Sequence, residues 1–155
     1  MKKTIAVIAT LISMAGLAAG TKRAAVTFTQ EEVKWAQPFG PQGPSLGFVA
    51  GKLGDKKPAS FFARFPGGAD TGWHEHSADY EGIVLKGTFT EQQQGEEERA
   101  LPAGTYFTQP RKQNHRNGCQ KSEDCVVYVH FEHGADTTPL TADGRPVPPP
   151  PKTSN

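Results

Sequence analysis

Three histidines are the residues of this chain best suited to chemistry. His74 and His76 stand one residue apart at the end of a Gly- and Asp-containing run that begins at Gly68, and His115 closes a second run that begins at Gly104 and passes through Pro110. Alternate side chains of an extended strand share a face, so an H-x-H pair turns both imidazoles to the same side, near enough to share a small cation. Imidazole donors suit transition metals better than Mg or Ca. Three of them leave a coordination position open for water or substrate. The expected cofactor is a divalent transition metal, Zn, Fe, Mn, Ni or Cu.

Other polar residues have two readings each. His130 alternates with Tyr128 in Val127–Phe131, so the pair faces either the cavity, as outer-sphere or substrate contacts, or solvent. Arg64 alternates with Phe62 and either meets an anionic ligand inside or is an exposed strand arginine. Arg111 and Lys112 either draw a carboxylate toward His115 or belong to a solvated turn. Trp73 and Glu75 flank the histidines on the opposite face, and His133 stands at a strand exit.

The elements that must position these residues are short. Apolar or alternating runs occupy 46–52, 60–65, 72–76, 80–86, 88–93, 97–101, 105–109 and 125–132, broken by Gly, Pro and Asp clusters. Many short strands without a long helical period indicate an all-β antiparallel sandwich or barrel. Residues 21–47 read as an N-terminal arm with Val33 and Trp35 as anchors. Within it Thr29-x-x-Glu32 is a capping box that starts either a helical turn over 29–36 or a strand. Residues 48–140 form the domain, and the Pro-rich stretch 141–155 reads as an extended or disordered tail.

Met1-Lys2-Lys3, the apolar run 5–17 and the small residues Ala18, Ala19 and Gly20 together describe a signal peptide over 1–20. The expected location is periplasmic or secreted, with no stable membrane insertion after cleavage. Loss of Lys2 and Lys3 moves the formal charge from +1 to −1. A near-neutral chain lacks the basic stripe that a phosphate backbone requires, so no nucleic-acid partner is expected. In an oxidising compartment Cys119 and Cys125 can close a small disulfide loop; the alternative, thiolate metal ligation, lacks the usual C-x-x-C spacing.

Gly68, His74, His76 and Gly87 fit the first cupin motif, G-x5-H-x-H-x(3,4)-E-x6-G. Gly104, Pro110 and His115 fit the second, G-x5-P-x-G-x2-H-x3-N, with Lys112 in place of its second glycine and Cys119 in place of its asparagine. The chain therefore resembles the cupin superfamily across residues 61–131. His74-x-His76-x-x-Asp79-Tyr80-x-Gly82, with a cysteine pair after the last histidine, is similar to an uncharacterised bacterial subfamily. The resemblance implies a double-stranded β-helix, or jelly-roll barrel, with His74, His76 and His115 as metal ligands and a homodimer as a common assembly.

The chain departs from the first motif at its glutamate. Counting back from Gly87 reaches Tyr80, whereas the longer count from His76 reaches Glu81. Adjacent strand residues face opposite sides, so only one of them enters the barrel. Tyr80 inside and Glu81 outside is the expected arrangement, which leaves a three-histidine site with a phenol nearby. Two functions fit: a module holding a metal and a small organic ligand, or a metal-dependent enzyme of dioxygenase, isomerase or lyase type.

Overall fold

Alternation of large apolar and polar residues builds ten antiparallel strands among the described residues. The computed structural model describes residues 25–29 and 31–148, so residues 1–20, the start of the arm and the end of the tail lie outside the described residues. The strands are β1 (Ser45–Ala50), β2 (Ala59–Phe65), β3 (His74–Glu75), β4 (Tyr80–Lys86), β5 (Thr88–Gln93), β6 (Arg99–Pro102), β7 (Tyr106–Gln109), β8 (His115–Cys119), β9 (Cys125–Phe131) and β10 (Thr138–Pro139). Two five-stranded sheets run in the orders β1-β2-β9-β4-β7 and β10-β3-β8-β5-β6. This is a jelly-roll sandwich. No helix among the described residues is long and apolar enough to cross a membrane.

The period of two decides which side chains meet. On β2, Ala59, Phe61, Ala63 and Phe65 point inward; on β9, Cys125, Val127, Val129 and Phe131 do the same, and the strands pair Phe61 with Val129 and Ala63 with Val127. Phe89 of the second sheet packs between Phe65 and Phe107 of the first, with ring centroids 5.1 and 5.6 Å apart. Each buried aromatic ring of this kind contributes about 1.5–3 kcal/mol. Gly82 is part of the packing, because a Cβ there would stand 2.6 Å from the Phe107 ring.

The eight strand runs read from sequence all reappear with shifted ends, and two further strands join them. β8 and β10 escape detection because His115–Cys119 and Thr138–Pro139 carry no alternating large apolar residues. β8 takes its strand geometry from neighbours on both sides, β3 and β5, and β10, at the edge of the sheet, takes it from β3. The capping residues at the arm do meet: Glu32 Oε2 accepts from the Thr29 amide at 2.7 Å. A single turn results rather than a helix, and Ala36 instead bridges to Leu46. Val33 is buried against Gly47, where a Cβ would lie only 2.0 Å from its Cγ1. Beyond Leu140 the chain doubles back, with the Val147 amide donating to Pro139 O at 2.9 Å.

A disulfide joins Cys119, at the end of β8, to Cys125, at the start of β9, so it ties the two sheets together. Both residues are buried, and the thiolate-ligand alternative is thereby removed. Gly87 sits against this link in the left-handed region (φ 78°), and a Cβ there would stand 2.9 Å from Cys125 Sγ. Lys112, where the second motif calls for glycine, also has φ of 60°. Its amide donates to His76 O at 3.0 Å, so the strained residue pins the β7–β8 loop to the histidine pair. Its Nζ lies 2.7 Å from Glu75, but the lysine side chain is 61% exposed, which leaves that ion pair little weight.

Two stability measurements follow from these features. Reduction of the disulfide, or the double substitution Cys119→Ser and Cys125→Ser, lowers unfolding stability by about 2 kcal/mol in a urea titration; an unchanged midpoint contradicts its role as the tie between sheets. Lys112→Gly relieves left-handed strain and raises stability by about 0.5–1 kcal/mol, whereas Lys112→Val lowers it by more than about 1 kcal/mol. Equal stabilities for the two variants contradict a left-handed backbone at this position.

Candidate metal centre

Cross-strand pairing brings the three histidines together. His74 of β3 lies directly opposite His115 of β8. His76, just beyond β3, joins them on the same face. The ring centroids are 4.3 Å apart for His74 and His115, 5.0 Å for His74 and His76, and 5.2 Å for His76 and His115. One ring nitrogen from each lies within 4.8 Å of the others, and all three residues are buried.

The backbone fixes which nitrogens converge. Nδ1 of His74 meets Gly72 O at 2.9 Å, Nδ1 of His115 meets Gln113 O at 2.9 Å, and Nδ1 of His76 meets Asp136 O. A carbonyl only accepts, so each Nδ1 carries the proton and donates. Each Nε2 therefore keeps a lone pair for a cation, the tautomer that metal-binding imidazoles need. Burial disfavours the charged form and the rings repel one another's protons. His74 is pushed below its ordinary value, His76 to about 4 and His115 to about 3, in every case chiefly by desolvation. The cluster is three neutral donors at neutral pH.

Tyr80 faces into the barrel, as the count from Gly87 predicts. Its ring stacks on Phe131 at 4.8 Å, and its hydroxyl lies 3.3 Å from His115 Nε2 and 3.4 Å from Asn117 Oδ1. Burial, with the nearby charge of Glu91, holds the phenol well above its usual pKa, so it acts as a donor. Glu81 points the other way, where its carboxylate accepts from the Tyr106 hydroxyl at 2.7 Å.

The cavity-facing reading of Arg64, Tyr128 and His130 is corrected by the structure. Their inward neighbours on β2 and β9 are Ala63, Phe65, Val127, Val129 and Phe131, so strand alternation turns all three outward. Arg64 stacks on Trp35, with its guanidinium carbon 4.2 Å from the ring centroid. Tyr128 packs edge-on against Phe62, and His130 Nδ1 lies 2.8 Å from the Ser60 hydroxyl.

Several inward polar residues were missed by the sequence reading. Asn117, two residues after His115 on the same strand, is buried and its Nδ2 has no hydrogen-bond partner among the described residues. A donor left unpaired in this way costs about 1–3 kcal/mol. Glu91, Gln93 and Gln109 form a polar seam beside Tyr80, with Gln93 Nε2 donating to Gln109 Oε1 at 2.6 Å. Burial raises the Glu91 pKa. The signal was present in the alternation Phe89-x-Glu91-x-Gln93, which places Glu91 and Gln93 on the face of the core residue Phe89.

A cavity of about 310 Å³ opens onto this centre, lined by His74, His76, Tyr80, Asn117 and a wall of aromatic and aliphatic side chains. The model of the family described as a domain of unknown function, DUF4437, matches residues 21–141. The chain belongs to the DUF4437 family. No curated protein matches it. Among solved structures, this DUF4437 protein is similar to KdgF from Halomonas sp. (23% identity, TM-score 0.56, 70% of this chain and 94% of that one). It is also similar to an RmlC-like cupin from Shewanella frigidimarina (18%, 0.58, 72% and 93%) and to the cupin domain of Cnp3 from Schizosaccharomyces pombe (13%, 0.58, 70% and 74%). Identities at this level carry the fold, and the fold is that of the cupin superfamily. On that fold, the buried three-histidine cluster presents donors that suit a transition metal.

The lowered histidine pKa values set a pH dependence for the chelator-treated protein. Between about pH 6.5, where an unfolded histidine titrates, and about pH 4, where His76 titrates in the fold, the unfolded chain binds more protons. Stability therefore falls as pH drops through that window, by an amount on the order of a few kcal/mol. Urea titrations at intervals from pH 7.5 to 4.5 measure this; a flat profile contradicts three neutral buried rings.

Proposed function

We propose that this protein is an exported small cupin that holds one divalent transition metal on His74, His76 and His115 and engages a small organic ligand in the barrel. The observation that carries the reading is the common tautomer: three Nδ1–H groups tied to Gly72, Gln113 and Asp136 carbonyls leave three Nε2 lone pairs facing one another. Rigid outer partners of this kind orient ligands before a metal arrives, and their loss commonly weakens metal affinity by roughly 10–100-fold. When bound, a cation with three neutral ligands supplies Lewis acidity at an open position.

The chain's own residues supply the rest of the site. Tyr80 presents a protonated hydroxyl beside His115, and aromatic rings wall the cavity beside it. The inner face carries a phenol where cupins commonly place a glutamate, so the first sphere has no carboxylate to offset the metal's charge. The signal-like residues 1–20 and the Cys119–Cys125 disulfide support export.

Metal analysis of protein purified from the periplasm without chelating resin tests this reading. The parent is expected to carry about one transition-metal ion per chain, and His74→Ala and His115→Ala are expected to lose most of it. Equal metal content in all three contradicts the assignment.

A further inference from the structure

Two large apolar side chains exposed to solvent also line the cavity: Phe39, in the arm, and Leu53, in the loop between β1 and β2. The backbone fixes both positions. Phe39 lies in consecutive turns, closed by the Gly40 amide on Gln37 O and the Gly43 amide on Gly40 O, and a Cβ at Gly43 would stand 2.7 Å from Phe39 Cβ. Beside Leu53, the Gly54 amide donates to Ala135 O at 2.8 Å, one residue before the Asp136 carbonyl that holds His76. A single exposed leucine is ordinary, but two large apolar residues that share a cavity lining carry its apolar wall out to solvent.

The inner end has a different character. His74 and His76 line the cavity while His115 is fully buried, so a cation held on the three is approached from this space. Three neutral imidazoles leave a divalent charge uncompensated, and a buried charge is costly unless it is paired, so the occupied centre favours an anionic donor. A second anion has no such partner. Among the described residues no lysine or arginine lines the cavity, and the charged residues on the lining are acids, Asp70 and Asp136. Asp70 lies 3.4 Å from Arg116, but that arginine is not on the lining. The rest of the wall is apolar, with Phe61, Phe65 and Phe131 on it.

We propose that the barrel binds a monocarboxylic acid with an apolar body, its carboxylate on the metal held by the three histidines and its apolar end against Phe39 and Leu53 at the rim. This rests on the reading of the histidines as a metal centre. The cavity of about 310 Å³ stands at the low end of the roughly 300–1,000 Å³ usual for small-molecule sites, which limits the body to one ring or a short chain. The cation sets the requirement for one negative charge, the acids and the apolar wall reject a second, and Phe39 and Leu53 make the arm and the β1–β2 loop part of the ligand site.

Butanoate, hexanoate and adipate, titrated calorimetrically into full-length protein stripped with chelator and reloaded with cobalt(II), test the proposal. Hexanoate is expected to bind about tenfold more tightly than butanoate, since each buried CH₂ group contributes roughly fourfold, and about tenfold or more tightly than adipate, which has the same length and a second carboxylate. Its addition is expected to change the visible absorption of the bound cobalt. Leu53→Asp is expected to weaken hexanoate by about tenfold and butanoate by no more than about twofold, with the cobalt load unchanged, and Leu53→Met to restore hexanoate binding. Absence of cobalt uptake by the parent overturns the metal reading and this proposal with it. A full cobalt load with adipate as tight as hexanoate, no gain from butanoate to hexanoate, an unaltered cobalt spectrum, or hexanoate affinity unchanged in Leu53→Asp overturns the proposal and leaves the metal reading standing.

Discussion

Everything at the centre of this protein depends on three hydrogen bonds from imidazole Nδ1–H groups to backbone carbonyls. Burying three histidines side by side is costly if any is charged, and equally unhelpful for metal binding if the wrong nitrogen holds the proton. Carbonyls of Gly72, Gln113 and Asp136 solve both problems, because each accepts the Nδ1 proton and turns the opposite nitrogen inward. Those carbonyls belong to three separate loops. The loops are in turn held by the sheet: Thr71 is hydrogen-bonded to Asn117 on β8, the Lys112 amide to His76 O, and the Ser77 amide to Asp136 Oδ1. Removing one support disturbs more than one ring.

The tyrosine at position 80 changes the character of the site. A glutamate there would place an anion among the donors and would demand compensation when no metal is bound. A phenol stacked on Phe131 is neutral, fills space and donates a single proton shared between His115 and Asn117. Glu91 is set back from the histidines in a seam with Gln93 and Gln109 and is itself pushed toward its neutral form by burial. The result is a centre of low fixed charge at the end of an apolar chamber, a suitable setting for a metal whose own charge dominates the local field.

Much of this was legible from residue spacing, for physical reasons. The inward pairing of His74 with His76 follows from the two-residue strand period, and the placement of Tyr80 inside and Glu81 outside follows from the distance to Gly87, a glycine whose left-handed backbone against Cys125 fixes the register of the turn. β8 was not legible, since His115–Cys119 is polar and its strand conformation is imposed by β3 and β5. With that strand unseen, Asn117 had no assigned face. Arg64, Tyr128 and His130 had a face only up to a sign: alternation groups them, but only the packing of Phe61, Val127 and Phe131 into the core decides which side is inside.

Nitrogen-15 NMR of the imidazole rings tests the central claim most directly, because it reads the tautomer itself. In stripped protein at neutral pH, three histidines should each show a protonated Nδ1 and an unprotonated Nε2, and addition of zinc should shift all three Nε2 resonances together while the Nδ1 protons remain. Rings found charged, in the opposite tautomer, or responding to zinc singly would contradict the account.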